Sequence, residues 1–312
     1  MCFRAPGRFN LSAPATLVDI VRIDAQEGQA AYSGGGQTFA AQNQIVVLRA
    51  GLNATVNVQS DASLNANDPK PATIAIVGVA NSDIINLASG NDVVTVGGPT
   101  ETVNLGSGND TINVSAATIG ATIGNGTGHN TLDVAGGGTM AMGADITDIA
   151  DVLLSPASAV YHFSVNAISG LTITDNNTAT ADVLNTGGAH QTLSGGGAGK
   201  VGFVGAAAGD DTFKNLAALF NGETISGFGN NGDMIDLTDV SATGLKPVSY
   251  VQTTGTSGKL TVSDRVHTAA ITLLGEFMAN GFHLVSDGGA AGTAITYQPA
   301  PLALAQTASQ HA

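Results

Sequence analysis

The chain has 312 residues with 42 glycines and a formal net charge of −14, while only 11% of its residues are charged and 4% are aromatic. No Lys or Arg occurs from residue 71 to residue 199. Such an acidic surface excludes nucleic acid and anionic lipid as partners and favours multivalent cations. The single cysteine, Cys2, excludes an internal disulfide, and no apolar stretch has the length of a transmembrane helix or the form of a secretory signal peptide.

Residues 1–70 contain two segments that predict β-strands. These segments are LVDIVRID and QIVVLRAGLNATVNVQ, and a flexible, glycine-containing segment separates them. The Asn, Asp and Pro residues of DASLNANDPKP then predict a loop. We expect residues 1–70 to form an N-terminal β cap or to be the remnant of a larger protein.

Residues 81–114 repeat with a period of nine. Each repeat has a turn, an acidic residue, and a short strand with two apolar residues two positions apart. Because side chains alternate across a strand, both apolar residues face one side and the polar residue between them faces the other. The acids in register are Asp83, Asp92, Glu101 and Asp110, and the apolar positions are Ile85, Val94, Val103 and Ile112, then Leu87, Val96, Leu105 and Val114.

A period of nine is too short for a pair of helices and fits one strand and one turn. It predicts an all-β fold, a parallel β-helix or β-roll solenoid in which two repeats make one coil. Residues eighteen apart then stack on the same edge, with Asp92 above Asp110 and, on the opposite edge, Asp83 above Glu101. We place the solenoid at residues 71–213, with its best repeats at residues 81–134.

The stacked acids predict a cation site, since carboxylates one coil apart repel each other unless a cation lies between them. Gly90, Gly106 and Gly108 permit positive φ, which allows the turns to direct carbonyl oxygens inward. A shell of carboxylate and carbonyl oxygens suits Ca²⁺, and no His or Cys is placed to select zinc. The alternative is that the turn aspartates only form Asx-turns.

These repeats resemble the RTX nonapeptide family, whose motif is G-G-x-G-x-D-x-U-x. The segment LGSGNDTIN is a close match and LASGNDVVT a fair one, while GPTETVNL keeps the acid and the apolar pair but loses most glycines. The resemblance implies a β-roll that binds Ca²⁺ through its turns.

Later repeats are weaker. In TIGATIGNGTGHNTLDV, Asn130 occupies the acidic position beside His129, which predicts a weaker site, and beyond Gly136 we expect further coils without strong metal sites. A second repeat block spans residues 191–213. Its first turn has Lys200 where the acid belongs, whereas GAAAGDDTF restores the acid at Asp211.

Residues 214–298 predict a C-terminal capping and secretion region. FKNLAALF predicts a short helix, and ETISGFGNNGDMIDLTDV resembles the capping segment that follows the repeats in serralysin-type RTX proteins. The resemblance implies that Asp233 and Asp236 are Ca²⁺ ligands, and that Asp239 is either a ligand or a turn or N-cap residue. The following segment predicts two strands, a short amphipathic helix and a terminal strand, similar to the secretion regions of such proteins, and residues 299–312 predict a disordered tail.

The sequence contains no HExxH, GxSxG, P-loop or dinucleotide fingerprint, so we do not expect an enzyme. A β-helix polysaccharide lyase is a weak alternative, because such enzymes need a Lys or Arg on the helix face. We expect a secreted, extracellular Ca²⁺-binding protein that folds on binding Ca²⁺ and is exported by type I (ABC) secretion machinery. The alternative is a surface-layer, biofilm or adhesive solenoid that contacts cell-surface or matrix glycans through outward Asn and Thr rows.

Overall fold

A computed structural model describes the chain in two compact units, Met1–Gly202 and Phe203–Ala312. It describes five backbone strands between residues 20 and 77, and then residues 84–87, 91–165, 168–178, 182–195, 200–229, 232–241, 248–287 and 292–299. Two of the predicted site residues, Asp83 and Gly90, lie outside the described residues. Within the described residues, no helix has the length and apolar character needed to cross a membrane.

The first unit is built from short strands. In chain order they are β1 (Ile20–Ile23), β2 (Gln37–Ala41), β3 (Ile45–Arg49), β4 (Thr55–Ser60), β5 (Thr73–Val77), β6 (Ile84–Asn86), β7 (Val93–Thr95), β8 (Thr102–Ser107), β9 (Thr111–Ser115), β10 (Thr122–Thr127), β11 (Thr131–Ala135), β12 (Gly138–Met142), β13 (Asp151–Leu154), β14 (Tyr161–Val165), β15 (Thr172–Asp175), β16 (Asp182–Asn185) and β17 (Thr192–Gly195). Strand β18 (Val201–Val204) contains the division between the two units.

Consecutive strands of the first unit alternate between sheets, so that two strands make one coil. The odd-numbered strands lie in the order β1-β3-β5-β7-β9-β11-β13-β15-β17, and the even-numbered strands lie in the orders β10-β8-β6-β4-β2 and β12-β14-β16. Their pairings are parallel. The first unit is therefore a parallel β-solenoid, as the repeats predicted.

The register confirms the predicted coil length where the repeats are regular. Val93 pairs with Thr111, and a residue of one coil contacts the residue eighteen positions later in the next. The following coil is longer, since Thr111 pairs with Thr131. Parallel coils continue beyond Gly136, where the sequence period could not be followed, and there Gly138 pairs with Tyr161.

In the regular coils the core consists of the apolar pairs that the period predicted. The first residue of each pair has no solvent exposure in β6 to β9, and the second is buried as well. Fully burying one such aliphatic side chain contributes about 1.5–3 kcal/mol. The fully enclosed residues are Ile85, Val94, Val103, Ile112, Leu105, Ile123, Leu132 and Val134.

Residues 1–70 contribute strands to the same solenoid order. Strands β1, β3 and β5 pair in parallel with one another and lead into β7. Strand β2 falls in the segment that we expected to be flexible, and it pairs in parallel with β4. The backbone of the N-terminal region therefore extends the coils instead of forming a different arrangement.

The second unit combines short parallel pairings with antiparallel ones. It contains β19 (Thr212–Asn215), α1 (Ala217–Phe220), β20 (Thr224–Ser226), β21 (Met234–Leu237), β22 (Ser249–Thr254), β23 (Ser257–Ser263), β24 (Thr268–Leu274), a 3-10 helix (Ala279–Gly281), β25 (Phe282–Ser286) and β26 (Thr293–Tyr297). Strands β19 and β21 pair in parallel, as do β20 and β24. The pairs β22–β23, β23–β24, β21–β26 and β25–β26 are antiparallel.

The short helix expected near the C-terminus is a 3-10 helix, Ala279–Gly281. In the described residues of this segment, two strands follow it instead of the one expected. Gly275 has a φ of 139°, and a Cβ on Gly281 would lie 2.5 Å from the Tyr297 ring, so glycine interrupts helix formation and permits close packing. The predicted helix in FKNLAALF is confirmed as α1.

Candidate metal centre

The acidic residues that precede the odd-numbered strands point into the solenoid. Asp92 is 3% exposed, Asp110 is 1% exposed, and Asn130 in the next coil is 0% exposed. Each directly precedes an outward-facing residue at the start of β7, β9 or β11, so alternation turns its side chain inward. The predicted acids are therefore buried at the edge of the core.

A hydrogen-bond ladder joins these side chains to the backbone of the preceding coil. The Asp92 N–H donates to Asp110 Oδ1 at 2.8 Å, and the Asp110 N–H donates to Asn130 Oδ1 at 2.9 Å. The Asn130 side-chain amide donates in turn to the Asp148 carbonyl at 2.8 Å. This ladder confirms that Asp92 and Asp110 stack on the same edge, and it confirms that Asn130 takes the acidic position.

A second ladder runs through the neighbouring exposed positions in the opposite direction. The Asn109 N–H donates to Asn91 Oδ1 at 2.8 Å, and the His129 N–H donates to Asn109 Oδ1 at 2.9 Å. In the buried ladder the later coil supplies the side-chain acceptor, whereas here the earlier coil supplies it. The two ladders together fix both the spacing and the register of successive turns.

The ladder uses only one oxygen of the Asp110 carboxylate. Asp110 Oδ2 is buried and has no hydrogen-bond partner among the described residues. Burial raises the pKa of Asp110 from 3.8 to about 6; the hydrogen bond from the Asp92 N–H opposes this shift, and the negative charge of Asp92 adds to it. The site therefore has an unsatisfied oxygen where either a proton or a cation would be stabilised.

The glycines of the turn adopt the conformation that the sequence predicted. Gly106 has a φ of 74° and Gly108 a φ of 136°, both in the region that favours glycine. The turns also approach each other closely, because a Cβ on Gly128 would lie 2.0 Å from the Gly108 carbonyl oxygen. Glycine is thus required here for the turn shape and for coil-to-coil contact.

Glu101 lies on the other edge and is 1% exposed. Its Oε2 accepts a hydrogen bond from the Gly97 N–H at 3.1 Å, so it folds back over its own turn. The predicted partner, Asp83, lies outside the described residues. Thr102 pairs with Thr122 of the next coil, so Ala121 takes the position in that coil that Glu101 has in its own. The Glu101 position therefore has no acid above it in that coil.

In the second unit, Asp211 and Asp233 repeat the buried ladder. The Asp211 N–H donates to Asp233 Oδ1 at 3.0 Å, and Asp211 Oδ2 accepts from the Ala206 N–H at 2.8 Å. Both side chains are buried. The sequence predicted both residues as ligands but did not predict that they would stack on each other.

The remaining candidate acids of the second unit, Asp236 and Asp239, bind a lysine side chain and a backbone N–H. Asp236 pairs in register with Lys214, and its Oδ2 forms an ion pair with Lys214 Nζ at 3.0 Å. Asp239 Oδ1 accepts the N–H of Ala217, the first residue of α1, at 2.7 Å. Asp239 therefore satisfies an N–H of the first helical residue from a distant position in the sequence, while the N-cap residue of α1 is Leu216.

Among the buried acids that were not singled out from the sequence, Asp175 and Asp182 lie in the first unit. Asp175 is 0% exposed and Asp182 is 1% exposed. Their strands carry the signal that could have found them, because in LTITD the acid falls in phase with the buried Leu171 and Ile173. A charged residue in the buried phase of a strand is rare enough to mark a site.

The acids do not form a ready-made metal cage. Across the described ranges, His, Cys, Asp and Glu nowhere come together in a group of three or more that could hold a metal ion. A cation on the Asp92–Asp110 edge must therefore complete its shell with backbone carbonyl oxygens and water.

Comparisons with known proteins give no assignment: a scan of protein-family models, a search of curated proteins and a search of solved structures each find no match.

The ladder predicts unequal effects of two substitutions at Asp110. Asp110→Ala leaves the buried Asp92 N–H without its acceptor and should lower the free energy of unfolding by about 1–3 kcal/mol. Asp110→Asn keeps the acceptor oxygen, as Asn130 does naturally, and should cost clearly less. Urea denaturation in chelating buffer measures both, with the exposed Asp145→Ala as control. Equal losses for the Ala and Asn variants would show that the acceptor is not what matters.

The raised pKa of Asp110 predicts a pH dependence of stability. The folded chain binds this proton more tightly than the unfolded chain, so stability falls as pH rises from about 4 to about 6. The measurement is the difference in free energy of unfolding between the wild type and Asp110→Asn across this range without divalent cations. A difference that does not vary with pH would contradict the assignment.

Proposed function

We propose that this chain is a calcium-binding, RTX-type β-solenoid that acts outside the cell and whose coils are stabilised by Ca²⁺. The observation that carries the proposal is Asp110 Oδ2, which is buried beside the stacked Asp92 and has no hydrogen-bond partner in the described part of the chain. Two carboxylates one coil apart need a compensating charge, and the sequence supplies no Lys or Arg from residue 71 to residue 199.

Calcium suits this edge better than other ions. The donors are carboxylate oxygens and the carbonyls of a glycine-containing turn, and hard oxygen ligands of this type favour Ca²⁺. Positive φ at Gly106 and Gly108 supports the proposal, because it reorients the peptide groups next to Asp110. The Asp211–Asp233 stack, which has the same ladder geometry, is the second proposed site.

Extracellular-type calcium modules have a Kd on the order of 10⁻⁴–10⁻³ M. At the low calcium concentration of a cytosol such sites stay empty, and the buried carboxylates then disfavour compact coils. This supports export of a loosely folded chain through type I (ABC) secretion machinery, followed by folding outside. The region from residue 214 to residue 298 is the proposed capping and secretion region.

The proposal predicts that calcium stabilises the wild type and that a charge-neutral ladder abolishes the effect. At a concentration 100-fold above Kd, one site contributes about 2.7 kcal/mol. The double variant Asp92→Asn, Asp110→Asn keeps both acceptor oxygens, so it should fold yet lose most of the calcium-dependent rise in Tm and in β circular dichroism. Calcium titration by calorimetry measures the sites directly.

Lys200→Ala is the matched control and should keep the full calcium-dependent rise in Tm. The double variant Asp211→Asn, Asp233→Asn should lose the part of this rise that comes from the second proposed site. Magnesium at equal concentration tests selectivity for the larger ion. If chelation and calcium addition leave the wild-type melting curve and spectrum unchanged, the proposal fails.

A second candidate, an adhesive or surface-layer role, is favoured by the polar columns on the outer faces. Asn125 donates to Asn104, and Asn104 donates to Asn86, each at 2.6 Å from side chain to side chain. On the odd-numbered sheet, outward threonines align from coil to coil. These threonines are Thr111, Thr131, Thr172 and Thr192, with Asp151 between the second and third.

An adhesive role predicts that substitutions in these columns affect binding without affecting calcium. Thr172→Val, Thr192→Val replaces outward-facing, half-buried hydroxyls with methyl groups on a strand face that tolerates β-branched residues, so folding should be kept. A glycan array should then show lower binding than the wild type, and sedimentation should report whether the chain self-assembles. Absence of both glycan binding and self-assembly in the wild type would exclude this candidate.

A further inference from the structure

Asp175 and Asp182 form a buried pair of carboxyl groups at one corner of the first unit. Asp175 ends β15, Asp182 begins β16, and their side chains lie within hydrogen-bonding reach of each other. Neither has appreciable solvent exposure. Two ionised carboxylates cannot lie so close in a buried position without a compensating charge.

Each carboxyl group binds the backbone through one oxygen only. Asp175 Oδ1 accepts the Asn177 N–H at 2.8 Å, and Asp182 Oδ1 accepts the Tyr161 N–H at 2.7 Å. The other oxygen of each, Oδ2, is buried and has no hydrogen-bond partner among the described residues. A single proton placed between these two oxygens would satisfy both at once.

A metal ion fits this corner less well, because its carbonyl groups already accept hydrogen bonds. The Asn177 side-chain amide donates to the Ala159 carbonyl, and the Tyr161 hydroxyl contacts the carbonyls of Val134 and Ser155. Calcium requires six to eight oxygen ligands, and two carboxyl groups cannot supply them. A proton needs only the two oxygens that are present.

The other titratable groups near the pair increase its need for a proton. Tyr161 of β14 is the nearest, and burial raises its pKa further above the ordinary value, with the charges of Asp133, Asp175 and Asp182 adding to the shift. Asp133 comes from β11 and is also acidic. No Lys or Arg occurs in the sequence from residue 71 to residue 199, so the strands around this corner bring no permanent positive charge.

We propose that Asp175 and Asp182 share one proton, and that this acid pair makes the coil of β14, β15 and β16 a pH-sensitive element that is most stable below neutral pH. The pKa of Asp175 is raised to about 7, first by burial and then by the charge and hydrogen bonding of Asp182, while the Asn177 N–H opposes the shift. The folded chain therefore holds a proton that the unfolded chain releases near pH 4. Stability falls as pH rises between these values and is lowest above about 7.

Asp175→Asn tests the proposal, because the Asn amide donates permanently to Asp182 Oδ2 and imitates the shared proton. Urea denaturation of the full chain in chelating buffer from pH 4.5 to pH 8.5 is compared for the wild type, this variant and the exposed control Asp145→Asn. Relative to the variant, the unfolding equilibrium constant of the wild type should rise by about tenfold per pH unit up to about pH 7. The control should follow the wild type.

Three results would overturn the proposal. A ratio of the two unfolding equilibrium constants that does not change with pH would show that no shared proton exists, and a variant that is less stable than the wild type at pH 8.5 as well as at pH 4.5 would show that the acids have only a structural role. If calcium or sodium restores wild-type stability at pH 8.5 but not that of Asp175→Asn, a cation occupies the pair.

Should the variant not fold, carboxyl resonances of wild-type chain labelled with ¹³C-aspartate must show two coupled acids, one titrating near neutral pH.

Discussion

The buried side-chain acceptor that receives a backbone N–H from the neighbouring coil is the interaction on which the described turns depend. In a parallel solenoid the strands pair with one another, but the N–H groups at the edge of each turn need acceptors of their own. Asp110 supplies one to Asp92, Asn130 supplies one to Asp110, and Asp233 supplies one to Asp211. The same contact recurs in both units, so it is a rule of this chain's turns and not a local accident.

This solution leaves a surplus of negative charge at the edge of the core. A neutral Asn is enough to accept one N–H, as Asn130 shows. An Asp in the same position does the same and adds a second oxygen that must be satisfied by something else, and for Asp110 no hydrogen bond among the described residues does so. The aliphatic core supplies most of the packing energy in these coils. The acids therefore add buried negative charge that a proton, or the cation of the proposed site, would compensate.

The sequence predicted the regular coils well because two strong local signals agree there. Alternation fixed which of Ile112 and Asn113 faces inward, and the step of eighteen fixed the stacking of Asp92 on Asp110. The later coils differ in length because extra residues are absorbed between strands, as in the turn of residues 116–121 between β9 and β10, and a fixed period cannot detect this. Pairings set by such registers, Lys214 with Asp236 and Asp211 with Asp233, could not be predicted from spacing.

The two kinds of buried acid differ in what surrounds them, and this difference is the reason for proposing a cation at one and a proton at the other. Asp110 lies beside a turn with positive-φ glycines, next to an exposed Asn row, so carbonyl oxygens and water can complete the shell of a hydrated cation. At Asp175 and Asp182 the nearby carbonyls already accept hydrogen bonds from Asn177 and Tyr161, and the Oδ2 atom of each acid is buried without a hydrogen-bond partner among the described residues. A cation gains little there and a proton gains a short, charge-assisted hydrogen bond. One solenoid can thus place chemically identical side chains in the same buried phase: protonation stabilises the folded chain at both, but only the Asp110 edge has further oxygens that a cation would need.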